Sequence, residues 1–93
     1  WAKLRDMEIK IEVPEYGKPG FKFHWEDDSA IRCTIEGTQV IIDANKGGLI
    51  SLARHLLELA QDNVPHHTHF HLDEFNSLED GSSELIIVKN TQL

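Results

Sequence analysis

Residues 31–61 read IRCTIEGTQVIIDANKGGLISLARHLLELAQ, and within them the spacing of apolar side chains changes once. Ile31, Cys33 and Ile35 alternate with Arg32, Thr34 and Glu36, the period of two produced by a strand with one wet face. Gly37-Thr38 fits a two-residue hairpin with glycine at the first central position, and Gln39 to Asp43 makes the returning strand. After Asn45, a residue suited to capping, Leu49, Leu52, Ala53, Leu56, Leu59 and Ala60 recur at helical spacing through about Gln61. Leu57 widens that stripe, while Arg54, Glu58 and Asp62 fall towards solvent. The stretch reads as a hairpin followed by an amphipathic helix.

Working outward, Met7, Ile9, Ile11 and Val13 alternate with charged residues and predict a strand. Tyr16 to Gly20 is a turn, and Phe21, Phe23 and Trp25 alternate with Lys22 and His24 in a second strand. Asn63 and Pro65 end the helix, His66 to Leu72 returns to period two, and Glu84 to Lys89 is a last strand. Between them, Asp73 to Ser83 is a polar, acidic, exposed loop. The expected fold is one α+β domain over residues 1–93, a mainly antiparallel five- or six-stranded sheet with one amphipathic helix packed on one face. The apolar sets of the first three strands should lie beneath the helix, leaving Glu8, Lys10, Glu12, Lys22, His24, Arg32, Thr34 and Glu36 on an open face. Val40-Ile41-Ile42 and Leu85-Ile86-Ile87-Val88 are apolar on both faces, so these strands are central or are covered in a dimer or complex.

Composition narrows the function. A chain of 93 residues can bury one modest core. No apolar run approaches the roughly 20 residues of a membrane helix, and no basic segment leads into an apolar export signal. The chain begins at Trp1. A lone cysteine, Cys33, offers no internal disulfide and favours a reducing compartment, so cytoplasm is expected. Nine basic against sixteen acidic residues give a net charge of −7. That argues against nucleic-acid and anionic-membrane surfaces, which demand clustered Lys and Arg. It suits a basic protein partner, and equally suits simple solubility.

The conspicuous motif is His66-His67-Thr68-His69-Phe70-His71-Leu72-Asp73-Glu74. With Phe70 and Leu72 towards the core, His67, His69 and His71 form a row on the other face. Two adjacent members could share a transition metal, but alternate strand residues are roughly 7 Å apart, too far for all three to reach one ion. The plainer reading is a polar strand face bonded to acids across the sheet or at an interface. Cys33 is most simply a core residue, and Ser51, Ser77, Ser82 and Ser83 match no nucleophile motif, so no enzyme is expected. Gly47-Gly48 fits either a weak anion site or a flexible turn into the helix. Glu26-Asp27-Asp28 in one turn, and Asp73-Glu74 with Glu79-Asp80 and Glu84 around another, could meet Arg and Lys of a partner or merely solvate loops.

Asn45 to Gln61 resembles the helix of the bacterial immunity proteins numbered thirty-two, found in polymorphic toxin systems. His69-Phe70-His71-Leu72-Asp73 and Gly81-Ser82-Ser83-Glu84-Leu85-Ile86-Ile87 resemble the two motifs that follow, so the resemblance covers about residues 40–90. It implies an antidote that binds a cognate toxin domain and blocks it, without turnover or a required cofactor. His69, His71, Asp73, Ser83 and Glu84 match family motif positions. The expected contact surface is Glu26, Asp27, Asp28, His69, His71, Asp73, Glu74, Glu79, Asp80 and Glu84. The rival readings are a metal-binding module using two of His67, His69 and His71, and a homo-oligomeric structural protein or homodimer.

Overall fold

A computed structural model describes residues 6–17 and 19–93. Its elements run β1 (Ile31–Glu36), β2 (Gln39–Ala44), α1 (Lys46–Leu59), β3 (His69–Leu72) and β4 (Leu85–Val88). β1 pairs antiparallel with β2 and β3 with β4, as two separate two-stranded sheets. The expected five- or six-stranded sheet is therefore wrong, although the α+β composition stands. Two features account for the difference. Among the described residues, 6–30 form no strand beyond an isolated bridge between Gly17 and Gly20. On the outer edge of β1 lies an irregular segment, which donates from Glu79 N to Ile31 O (2.8 Å) and from Ser83 N to Cys33 O (2.7 Å).

The first hairpin follows its sequence. Gly37 takes φ 59°, a left-handed angle that glycine adopts without steric cost, and turns Glu36 onto Gln39. The register places Ile31 opposite Ala44, Cys33 opposite Ile42 and Ile35 opposite Val40. Only the first half of this apolar face is covered: Ile31 and Cys33 are buried, whereas Ile35 is 61% and Val40 63% exposed. Since each hairpin is only two strands wide, neither doubly apolar strand is central.

Asn45 caps α1 as expected, its Oδ1 accepting from Gly48 N (2.8 Å). The same oxygen accepts from Ala30 N (3.0 Å), and Asn45 Nδ2 donates to Asp28 O (2.6 Å), so the cap also fastens residues 28–30. Gly47 and Gly48 are buried in the first turn. A Cβ on Gly48 would lie 2.5 Å from Ala30 O and 2.8 Å from Ile31 Cγ1, so this pair permits close approach of the chain.

The face that α1 buries is not its leucine stripe. Ser51, His55 and Glu58 are 0–1% exposed, while Leu49, Leu56 and Leu57 are 41–55% exposed. Leu59 alone of the expected leucines is fully buried, with Leu52 partly so. Ile31, Cys33, Leu59, Val64, Phe70, Leu72 and Leu78 form the buried core, against which Tyr16, Phe21, Trp25, Leu85 and Ile87 pack.

Candidate functional site

Ser51, His55 and Glu58 stand at i, i+4 and i+7 on one helical face, and each receives a backbone N–H from an extended strap, residues 20–30. Lys22 N donates to Glu58 Oε2 (2.6 Å), His24 N to His55 Nε2 (3.0 Å) and Glu26 N to Ser51 Oγ (2.8 Å). In extended chain, alternate N–H groups leave along the same edge, so the strap pairs with helix side chains as it would pair with a strand. Arg54 completes the attachment, donating to Glu12 O and His24 O and lying 3.9 Å from Glu26.

A serine, a histidine and a glutamate on one face invite comparison with a hydrolytic triad. Here each contacts the strap's backbone, and the imidazole is enclosed by aromatic rings. Trp25 lies 4.3 Å away at 67°, with Phe21, Phe23 and Phe70 at 5.4–6.1 Å between centroids. Because Nε2 accepts a backbone N–H, the neutral ring carries its proton on Nδ1, which has no hydrogen-bond partner. Burial, reinforced by Arg54 and then His24, holds His55 down at about 4. Burial pushes Glu58 upwards, opposed by its bond from Lys22 N. These groups secure the fold. Sequence reading placed Glu58 in solvent; the usable signal was the continuation of its face through His55 and Ser51 to Gly47, small or polar at every step.

The residues expected to meet a partner divide between two places. Glu26, Asp27 and Asp28 belong to the strap, where Glu26 lies between His24 (4.0 Å) and Arg54. Asp28 packs against Gly47, on which a Cβ would collide with its Oδ1. His69 and His71 stand on the exposed face of β3, opposite Val88 and Ile86 of β4, while Phe70 and Leu72 are buried. Glu84 is exposed, with its Oε2 3.7 Å from His71 Nδ1. Asp73 and Glu74 organise the adjoining loop: Asp73 Oδ1 accepts from Phe75 N (2.9 Å) and Glu74 Oε2 from Gly81 N (2.8 Å). Glu79 and Asp80 are exposed where that loop runs beside β1. His71, Asp73, Glu74 and Glu84 thus gather around one corner.

The imidazole row is shorter than expected. His67 precedes β3 with φ 72°, and its ring lies on His66 at 3.7 Å, so only His69 and His71 share the strand face, their rings 5.0 Å apart. Among the described residues, no group of three or more His, Cys, Asp or Glu side chains is arranged to hold a metal ion. Beside His71 a cavity of about 230 Å³ opens between Phe23, Trp25, Leu72, Asn76 and Ser77. Among the described residues, no helix is long and apolar enough to cross a membrane.

The chain is thus a small α+β protein whose buried Ser51, His55 and Glu58 serve its own fold, while His69, His71, Glu74 and Glu84 face outward. It belongs to the Immunity protein 32 family, whose model matches residues 39–90, more than half of the chain. No curated protein and no solved structure matches it.

Proposed function

We infer that the protein neutralises a toxin domain in the cytoplasm by binding it, without turning over a substrate. Family membership carries this reading, because it supports an immunity function and implies a toxin as partner. The corner of His69, His71, Asp73, Glu74 and Glu84, with Glu79 and Asp80 on the same loop, is the contact surface best suited to it. The corner lies within the matched segment and is largely exposed, and its carboxylates suit a basic partner. Glu26, Asp27 and Asp28 offer a second acidic contact, on the strap. Co-expression tests the reading: cells carrying the neighbouring toxin gene should survive with this protein present, and the two products should co-purify. Continued killing without co-purification refutes it.

A second reading has its own observation. Ile35, Val40 and Ile42 leave a 40–63% exposed apolar face at the free end of the first hairpin, which a second copy of the chain would cover. Light scattering of the purified protein at increasing concentration should then show a dimer; a monomer throughout rules this out.

A further inference from the structure

We propose that Phe75 is the anchor of the toxin interface and that the cavity beside it receives a cationic side chain of the toxin, arginine by preference. This deepens the neutralisation reading above and rests on it.

Phe75 is 88% exposed, on a loop that is otherwise held firmly. Asp73 O accepts N–H groups from Ser77 (3.1 Å) and Leu78 (2.9 Å), and Asp73 Oδ1 accepts that of Phe75 itself. Asn76 clamps the base of the loop, accepting from Asp73 N (3.0 Å) and donating to His71 O (3.2 Å). Leu78, 5% exposed, ties the far side into the core. The phenyl ring is therefore presented on an ordered backbone, so a partner that buries it gains apolar contact with little further cost in loop entropy. Rigid aromatic side chains of this kind concentrate binding energy at the centre of an interface.

The cavity begins at the next two residues, Asn76 and Ser77, and is walled by Phe23 and Trp25, whose rings stack 6.3 Å apart at 12°. Phe23 is half-exposed there, and His71 stands at the rim beside Glu84. Aromatic faces attract cations, and a planar guanidinium can lie on such a ring while donating to a nearby carboxylate. The wider charge agrees. Residues 72–88 contain Asp73, Glu74, Glu79, Asp80 and Glu84 and not one Lys or Arg. An apolar partner patch would desolvate these carboxylates without compensation, and a second copy would bring its own charge of −7 against them. A basic protein surface with an apolar pocket next to an arginine fits both features.

The test is calorimetric titration of the toxin domain encoded beside this gene into tag-free protein. Phe75→Ala should weaken binding about 30-fold or more with an unchanged melting temperature, the loss expected for a central hot spot. Glu84→Gln should weaken it about fivefold at low salt, a difference that shrinks as salt is added. If the wild-type protein binds but Phe75→Ala binds within twofold of it, the anchor is wrong while neutralisation by binding stands. Val40→Ser abolishing binding with Phe75→Ala silent would move the interface to the first hairpin and overturn the proposal. No binding by the wild-type protein at all removes the neutralisation reading and this inference with it.

Discussion

The hairpins and the strap solve the same problem in different ways. Residues 31–44, and residues 69–72 with 85–88, satisfy their backbone mainly by strand pairing, residue against residue. Residues 20–30 satisfy theirs on Ser51, His55, Glu58 and Asn45, four side chains of the helix and its cap. A ladder between strands tolerates most substitutions, because its bonds come from the main chain. A ladder on side chains depends on each residue, and three of these four are nearly inaccessible to solvent. The strap also lies outside the segment matched to the family, whereas its docking residues on the helix lie inside it. Mutation should therefore separate the two regions.

The largest effect is expected from His55→Ala. It leaves His24 N–H without its acceptor and a void among four aromatic rings, a loss of roughly 3–4 kcal/mol by chemical denaturation. Amide exchange should accelerate first at Lys22, His24 and Glu26, and equal acceleration across both hairpins would show that the strap is not a separate unit.

Acid should act through the same side chain. The folded state holds His55 at about 4 against an ordinary value near 6.5, so its neutral form is favoured by folding. Its contribution is complete above pH 6.5 and is lost as pH falls towards 4, by up to roughly 3 kcal/mol. Glu58 has the opposite sign: its raised value adds stability as it is protonated over an overlapping range. The wild-type protein should thus lose less than His55 alone dictates, and Glu58→Gln should lose stability more steeply between pH 6.5 and 4. Parallel pH profiles for the two proteins would show that Glu58 offsets nothing.

Gly48→Ala comes next. The added methyl group meets the main chain of Ala30, so roughly 2 kcal/mol should be lost despite alanine's better helix propensity. Gly47→Ala meets only the Asp28 carboxylate, which can rotate away, and should be nearly neutral. Smallest of all is Leu57→Ser. Leu57 is 50% exposed, so thermal melting should report a change within about 0.5 kcal/mol. A loss of 2 kcal/mol there would restore the leucine stripe as the packing face.

Local and long-range signals are not equally legible in the sequence. Gly37-Thr38, the cap at Asn45, and Phe70 and Leu72 beneath β3 are local signals with local outcomes, and all three read correctly. The alternation of Phe21, Phe23 and Trp25 with Lys22 and His24 also marks extended chain, but periodicity does not specify what that chain pairs with. Its partner is a helix, so the predicted second strand is missing, as is the first over Met7 to Val13. The spacing places the helix correctly and rotates it wrongly. Leucines outweigh a serine, a histidine and a glutamate on any hydropathy scale, yet a buried polar face is stable once backbone N–H groups meet it. At the corner, His71 and Glu84 were legible as charge and spacing. The cavity beside them was not, since it forms between residues 23–25 and 71–77, which are distant in sequence.

Amide hydrogen exchange of the protein, free and saturated with its toxin domain, addresses both regions together. Protection should rise most at His71 to Glu84, with a smaller rise at residues 23–28, where the strap walls the cavity and carries Glu26, Asp27 and Asp28. Slowed exchange along residues 20–30, with His71 to Glu84 unchanged, would make the strap the binding element and contradict its role as a structural brace.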